Sequence, residues 1–362
     1  MRAILHPAPS VSDTDLKGTE KLATSFKDND TGSFSDLREC LKGTGISEHT
    51  VSIILSSWRG NTQKQYGTYL KKWSQFCDRA EINKFQPSVA DVLKFLTNLH
   101  DSGLGYSALN TAKSAVSSFL SIADPNIAQL GSHVLIKRFM KGIFEIKPSL
   151  PRYNCTWNTE KVLKFLKSLS PLTDLSLLQL SRKLVTLLAL STGQRAQTLH
   201  MLDIRNIESC VTHLKLRIGD LLKQSRPSNH LPELFISQYI VDQDLCVVRT
   251  YLYYVEKTEN LRQDSRLFIK TQKPYSWVTR QTLSHWIKHT LIQAGIDMSC
   301  FTPHSTRSAS CSAAVSSNVP IDTILRTAGW TRDNVFRKFY NRPVSNDDSF
   351  SKSILSKVDN HT

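Results

Sequence analysis

Four short stretches in the second half of the chain hold residues that could act on a phosphate. His304 and Arg307 stand three residues apart at a predicted helix start, so their side chains share one face at the positive end of a helix. That face would offer a group that can donate or accept a proton beside a guanidinium that can bind an anion through two N–H groups. Arg195 follows an apolar helical stretch, where a turn could aim it inward from a rigid support.

Two further stretches complete the set. Lys223 lies at the tip of a predicted hairpin, and Trp330 is followed ten residues later by Tyr340. Each residue alone also has an ordinary explanation: a buried arginine usually forms a structural ion pair, a hairpin lysine is usually solvated, and Tyr340 could belong to the core. Their joint order carries more information than any one of them.

This order resembles the catalytic signature of the tyrosine recombinases, also called the phage integrase family. That signature is an arginine, a hairpin lysine, His-x-x-Arg, a glycine followed by His or Trp, and a tyrosine about ten residues on. It is matched here by Arg195, Lys223, His304-Ser-Thr-Arg307, Gly329-Trp330 and Tyr340. The Gly-Trp form and the closing Phe-Arg-Lys-Phe-Tyr-Asn-Arg-Pro look most like recombinases of eukaryotic mobile elements, the DIRS-type retroelements and cryptons.

The resemblance implies a role for each residue. Tyr340 would attack a DNA phosphate and form a 3′-phosphotyrosyl link, while the two arginines would hold the non-bridging oxygens. His304 would manage the tyrosyl proton, Trp330 would donate a hydrogen bond to the phosphate, and Lys223 would protonate the leaving 5′ oxygen. Neither a metal nor another cofactor is expected, because two guanidinium groups supply the charge and no carboxylate cluster of the two-metal type is present in the sequence.

Two positions depart from the pattern or leave a choice. Many family members have an acidic residue three after the first arginine, where this chain has Thr198; Asp203 is a candidate substitute. Lys215 lies in the same hairpin region as Lys223 and is the other candidate for the hairpin lysine.

The elements around these residues predict a catalytic domain at 156–345. Helical periodicity marks 162–169, 177–190, 245–255, 278–294, 305–317 and 321–328, and strand-like runs mark 213–218, 234–236 and 266–269. The predicted fold class is mainly α with a small antiparallel β-sheet, in the two-domain recombinase architecture.

A second, all-helical domain is predicted at 46–147 and resembles the family's SAM-like core-binding domain. Segment 46–148 carries twelve basic and seven acidic side chains. Such a surplus can follow a phosphate backbone without recognising sequence, although a solvated helix face is an equal alternative. The candidate DNA-binding side chains are Lys64, Lys71, Lys72, Lys94 and Lys113.

The remaining segments carry no identifiable chemistry. Residues 1–45 are rich in Ser, Thr, Asp and Gly and are expected to be mostly disordered, with a short helix near 34–41. The two prolines of Lys147-Pro-Ser-Leu-Pro-Arg predict a linker at 148–155, and 346–362 form a C-terminal tail.

Charge and composition narrow the function class. The net charge is +15, and residues 1–45 and 346–362 each carry −1, so the 300 residues between them carry +17 and favour a polyanionic partner. Seven scattered cysteines without a C-x-x-C pair argue against a disulfide framework or zinc site. No apolar run is long enough for a membrane span, and Pro and Asp interrupt the N-terminus before a signal region could form. With cysteines typical of reduced thiols, we expect an intracellular protein, and work on DNA implies the nucleus if the host is eukaryotic.

The leading hypothesis is a site-specific DNA recombinase or integrase of a mobile element, acting on double-stranded DNA as a dimer to tetramer. A catalytically inactive DNA-binding descendant is the alternative, which retention of all five Arg, Lys, His, Arg and Tyr positions disfavours. A type IB topoisomerase shares the chemistry, but the helical domain upstream and the lack of a long linker before Tyr340 disfavour it.

Overall fold

The structure, a computed structural model, describes residues 34–124, 130–148, 154–223, 225–227, 230–330, 333–344 and 354–355. The chain divides into two compact units, with the boundary between Leu150 and Pro151. Most of the predicted disordered segment and linker, namely 1–33 and 149–153, and nearly all of the predicted tail lie outside the described residues.

The first unit is helical throughout its described residues. Its helices are α1 Ser35–Gly43, α2 Glu48–Leu55, α3 Gly60–Ala80, α4 Val89–Asp101, α5 Tyr106–Ala123 and α6 Val134–Ile146. Helices α2 and α4 begin at serine caps, and Ser88 and Asp91 form a reciprocal capping box at α4. The apolar stripe of each helix faces a shared core. In this core the ring centres of Trp73 and Phe95 lie 5.1 Å apart.

Helix α1 confirms the short helix that the sequence predicts near 34–41. Leu37 and Leu41 are buried on one face of α1 and belong to the core of the first unit. Ser74 of α3 also donates a hydrogen bond to Asp36 at 3.2 Å. The 34, 37, 41 spacing supplies the apolar surface that holds this short helix against the core, while residues 1–33 lie outside the described residues.

The second unit combines helices with a small sheet. Its helices are α7 Thr159–Ser168, α8 Leu177–Thr192, α9 Ala196–His200, α10 Val247–Thr258, α11 Arg280–Gln293, α12 Ser305–Ser316, α13 Ile321–Ala328 and α14 Asp333–Phe339. The strands are β1 Ile207–Ser209, β2 His213–Leu216 and β3 Leu234–Ser237. They pair antiparallel in the order β1-β2-β3, which confirms the predicted fold class of a mainly α chain with a small antiparallel sheet.

The sheet is composed differently from the prediction. The segment 266–269 is not one of its strands; it is an extended run with isolated bridges, from Asp203 to Arg266 and from Ile269 to Trp277. Leu267, Phe268 and Ile269 are all buried, so this run crosses the core instead of alternating between core and solvent. The third strand of the sheet is β1, which the sequence pattern missed.

Helix α8 passes through the centre of the second unit. Its residues Leu180, Leu184, Val185 and Leu188 are fully buried, and its neighbours include α10, α11 and α12. It ends at Gly193, and Arg195 stands two residues later. The first arginine of the signature is therefore held next to the end of this buried helix.

All seven cysteines are free. Among the described residues, no helix combines the length and the apolar character that crossing a membrane requires.

Candidate active site

A cavity of about 520 Å³ lies in the second unit and collects five of the six predicted catalytic residues. Its lining includes Arg195, Lys223, His304, Arg307 and Tyr340. These residues come from four separate parts of the chain, so their meeting is a property of the fold and not of local sequence.

The turn after α8 brings two of these parts together. Gly193 ends α8 with a left-handed φ of +58°, and a Cβ at this position would meet the Cys311 Sγ at 3.0 Å and the Ala328 Cβ at 3.4 Å. Glycine therefore serves both the backbone conformation and the close approach of α12 and α13. Gln194 donates to the Thr327 carbonyl at 2.6 Å, which fixes the chain directly before Arg195.

Arg307 is nearly fully buried, with 1% of its surface exposed. Its Nη1 donates to the carbonyls of Gly193 at 2.5 Å and Ala328 at 2.7 Å, which fixes the plane of the guanidinium. Its Nε and Nη2 have no hydrogen-bond partner among the described residues. Burying charged donors without a partner is costly, and this edge of the guanidinium is the one that can grip an oxyanion with two parallel N–H groups.

Burial, then the charge of Arg195, lowers the pKa of Arg307 to about 9, so the group still carries its charge at neutral pH. An anion between the two guanidinium groups would offset both effects. The arrangement can therefore bind a phosphate where positive charge is concentrated around a buried guanidinium.

Tyr340 and His304 meet at the mouth of the cavity. The Tyr340 hydroxyl lies 3.4 Å from the His304 Nε2, a long contact. The residue His304 keeps part of its surface in solvent, yet burial of its ring and the charges of Arg307, Arg195 and Lys223 lower the pKa of His304 to about 4. Its three cationic neighbours alone dictate that direction, and the imidazole is neutral at pH 7 and able to accept a proton.

Trp330 does not line the cavity, but it packs against two residues that do. The Arg307 Cζ lies 3.7 Å from the centre of the indole, and the Tyr340 ring centre lies 4.8 Å from it. The first contact is a close cation–π interaction. The buried indole N–H of Trp330 has no hydrogen-bond partner among the described residues.

Lys223 reaches the cavity from the turn between β2 and β3. The neighbouring Leu222 is buried, and its N–H donates to the Ser225 hydroxyl at 2.9 Å. Lys215, the other candidate for the hairpin lysine, lies on β2, where its ammonium donates to Glu208 at 2.7 Å, and it does not line the cavity.

Asp203, the candidate substitute for the family's acidic residue, lies elsewhere. Its carboxylate accepts from the guanidinium of Arg205 and from the hydroxyl of Ser265, and the Arg205 hydrogen bond leads the causes that lower the pKa of Asp203 to about 2. Thr198 is buried in α9. Neither residue lines the cavity, and the partners of the Asp203 carboxylate, Arg205 and Ser265, are not among the candidate catalytic residues.

The candidate DNA-binding lysines belong to the first unit. Lys64, Lys71 and Lys72 lie on α3, Lys94 lies on α4 and Lys113 on α5; the first four are exposed and Lys113 is half-buried. The α3 lysines follow the polar face opposite the buried Leu70, Trp73 and Phe76.

Sequence reasoning did not single out the other residues that line the cavity, among them three polar ones on one helix. Arg280, Gln281 and Ser284 come from the first turns of α11. Their i, i+1, i+4 spacing places them on one helical face, but nothing in the sequence marks that face as a cavity wall. Among the described residues, there is no group of three or more His, Cys, Asp or Glu side chains placed to hold a metal ion.

A family model described as "Phage integrase family" matches residues 158–346. No curated protein sequence matches the chain.

Several solved structures share the fold. A post-cleavage complex of the XerH site-specific recombinase bound to palindromic difH substrate has a TM-score of 0.55 and 15% identity, covering 92% of this chain and 89% of that chain. The XerH pre-cleavage complex with difH substrate has a TM-score of 0.55 and 13% identity, covering 94% of each chain. The Tn1549 transposon integrase in complex with transposon right end DNA has a TM-score of 0.53 and 15% identity, covering 83% of this chain and 94% of that chain.

Proposed function

The chain belongs to the phage integrase family, and from this premise we propose that it is a DNA recombinase that cleaves and rejoins strands through Tyr340. The observation that carries the proposal is the single cavity that holds Arg195, Lys223, His304, Arg307 and Tyr340. Double-stranded DNA is the proposed partner, in line with the basic surplus of residues 46–345 and with the DNA-bound state of the XerH and Tn1549 structures.

Substrate binding falls to the two arginines. The free Nε–Nη2 edge of Arg307 and the guanidinium of Arg195, which lines the same cavity, would together bind the two non-bridging oxygens of the scissile phosphate. These charge-assisted bonds strengthen as charge builds on the phosphate in the transition state. The indole of Trp330 packs on Arg307, and its N–H, which has no partner among the described residues, would supply one more donor to the phosphate.

Attack requires the tyrosyl proton to leave. A free tyrosine has a pKa near 10, so only about one hydroxyl in a thousand is ionised at neutral pH. The neutral His304 imidazole, 3.4 Å from the Tyr340 hydroxyl, would accept that proton as the phenolic oxygen forms its bond to phosphorus. The negative phosphate raises the basicity of the imidazole at the moment it is needed.

The bond from phosphorus to the 5′ oxygen breaks as the new bond forms. Lys223 would protonate the departing oxygen, and the product is a 3′-phosphotyrosyl link with a free 5′ hydroxyl. The reaction exchanges one phosphoester bond for another, so the bond energy is kept. A 5′ hydroxyl can then attack the phosphotyrosyl link and rejoin the strand. No divalent metal or organic cofactor takes part, because the two guanidinium groups supply the charge.

Strand exchange joins two DNA segments, so we propose that several protomers, two to four, assemble on DNA. We also propose that the protein serves a mobile element, with the Gly329-Trp330 form and the residues around Tyr340 favouring the DIRS or crypton group. If the host is eukaryotic, the site of action is the nucleus.

Covalent capture tests the proposal without knowledge of the target sequence. The protein is incubated with duplex DNA containing a randomised core and denatured in SDS, and the DNA that remains attached to protein is sequenced. We expect the intact protein to retain DNA and Tyr340→Phe to retain none. Binding by the intact protein without any adduct would contradict a recombinase and favour the inactive DNA-binding alternative.

A further inference from the structure

Two serines of α12 hold the main chain of Tyr340. The hydroxyls of Ser308 and Ser312 both donate to the Tyr340 carbonyl, at 3.0 Å and 2.9 Å. The Ser312 hydroxyl in turn accepts the Arg342 N–H at 3.0 Å. Both serines are buried, with 3% and 4% of their surface exposed, so water does not compete for these bonds.

These bonds differ from the usual behaviour of a hydroxyl inside a helix. Such side chains commonly donate to the carbonyl four residues earlier, as Ser181 does to Leu177 and Thr186 to Arg182 in α8. Ser308 and Ser312 instead reach a carbonyl 32 and 28 residues further along the chain. That carbonyl directly follows α14, where helical carbonyls lack partners within the helix.

The same helix carries the phosphate-binding and proton-accepting groups. His304 precedes the first turn of α12, and Arg307 and Ser308 are neighbours within it. Helix α12 therefore sets the position of two groups at once. It carries Arg307, which would bind the phosphate, and its two serines hold Tyr340, which would attack that phosphate.

We propose that Ser308 and Ser312 are positioning residues for the nucleophile, holding the Tyr340 main chain at α12 so that its hydroxyl stays within reach of His304 and the phosphate. The inference rests on the proposed function of Tyr340. Both hydroxyls bond the main-chain carbonyl of Tyr340, so the serines would act through Tyr340 and not on the phosphate. Because a displacement of about 1 Å can lower a rate about 10²-fold, loss of both bonds is expected to slow adduct formation by roughly 10- to 100-fold.

The first test measures adduct formation on a nicked duplex of a sequence recovered by covalent capture. We expect Ser308→Ala/Ser312→Ala to react roughly 10- to 100-fold more slowly than the intact protein, and each single variant to lie between them. Ser316→Ala is the matched control, because Ser316 is exposed one turn further along α12 and is expected to leave the rate unchanged.

A second measurement separates positioning from general damage to the site. In a Tyr340→Phe background, hydrogen peroxide can attack the bound phosphate in place of the phenol, so cleavage then depends on Arg195, His304 and Arg307 but not on the tyrosine main chain. We expect the added serine substitutions to change this peroxide-dependent cleavage by less than about twofold. Loss of both reactions would overturn the positioning role, as would an unchanged rate of adduct formation in the double variant.

Hydrogen exchange tests the contact even if no adduct forms. The Arg342 N–H, bonded to Ser312, should exchange faster in Ser312→Ala and in the double variant, and at the original rate in Ser316→Ala. An unchanged exchange rate of the Arg342 N–H in these variants would overturn the proposed contact between α12 and the Tyr340 main chain. If exchange is faster in the variants but the intact protein never forms an adduct, the serine contact is supported and the recombinase function is rejected.

Discussion

At the residue scale, the guanidinium of Arg307 is braced through Nη1 by the carbonyls of Gly193 and Ala328, while its Nε and Nη2 have no partner among the described residues. Residue order alone singled out Arg195, Lys223, His304, Arg307 and Tyr340, which the cavity brings together. Nothing in the sequence distinguishes the braced Nη1 of Arg307 from its free edge, because both bracing carbonyls come from other elements. The serine contacts to Tyr340 were equally invisible, since serine occurs on most helix surfaces.

The braced guanidinium makes a clear prediction for Arg307→Lys. A lysine keeps the charge, but its ammonium cannot hold both the Gly193 and Ala328 carbonyls and still offer a planar pair of donors. We expect the rate of adduct formation to fall by roughly 10²- to 10³-fold, the usual effect of removing one transition-state donor. Arg326→Lys, an exposed position on α13, serves as the control and should react normally. Equal rates for the two variants would contradict the role of the fork.

The environment of His304 predicts how its protonation affects stability. The pKa of His304 is lowered to about 4 in the folded protein, whereas an unfolded histidine has a pKa of about 6.5. Between these values the unfolded chain binds a proton that the folded chain does not, so this group lowers the free energy of unfolding as the pH falls from about 6.5 to about 4.

We therefore expect His304→Gln to lose less stability than the intact protein between pH 7 and pH 5, as measured by urea unfolding at each pH. His285, for which the same glutamine substitution can be made on exposed surface of α11, provides the control. Parallel pH profiles for the intact protein and His304→Gln would contradict a depressed pKa.

At the scale of elements, periodicity predicted the helices well and the sheet poorly. The helix at 321–328 has the predicted bounds, and helix α12 ends one residue before its predicted end. Strand β1 has only three residues and therefore no alternation to detect, while the buried run 267–269 has β-forming residues but pairs with loops. Short apolar runs cannot reveal their pairing partners, because the partners are distant in sequence.

The turn that carries Lys223 depends on such a distant partner. Asp220 accepts from the Arg266 guanidinium at 2.7 Å, and Arg266 also donates to the Met201 carbonyl at 2.9 Å. This partly exposed pair fixes the chain three residues before Lys223. For Asp220→Asn we expect adduct formation to slow by about fivefold, the value of an ion pair of about 1 kcal/mol.

A substrate with sulfur at the leaving position identifies the step affected. A thiol has a pKa of about 8.5 and can leave without protonation, so it needs no acid from Lys223. Both Asp220→Asn and the control Lys223→Ala should cleave this substrate at the rate of the intact protein. A persistent defect of Asp220→Asn on the sulfur substrate would show that the ion pair supports the fold and does not act through Lys223.

At the scale of the whole molecule, the charge distribution predicts a polyanionic partner independently of the motif. The surplus lies within residues 46–345, and the family match at 158–346 falls almost entirely inside that segment. Composition cannot identify which lysines follow the DNA backbone, because a solvated helix face has the same pattern. That distinction requires a measurement that counts phosphate contacts.

Salt dependence provides that count. Each lysine that neutralises a phosphate contributes about −0.9 to the slope of log K against log salt concentration on duplex DNA. Lys64→Gln, Lys71→Gln and Lys72→Gln, all on the exposed face of α3, should each reduce the magnitude of the slope by about 0.9 on a random-sequence duplex. Lys84→Gln is the control, since its ammonium is paired with Asp36 at 2.9 Å and is expected to contribute little. Because this slope is independent of cleavage, an unchanged value in all three α3 variants would assign these lysines to solvent and remove α3 from the proposed DNA-binding surface, while leaving the chemistry of the cavity intact.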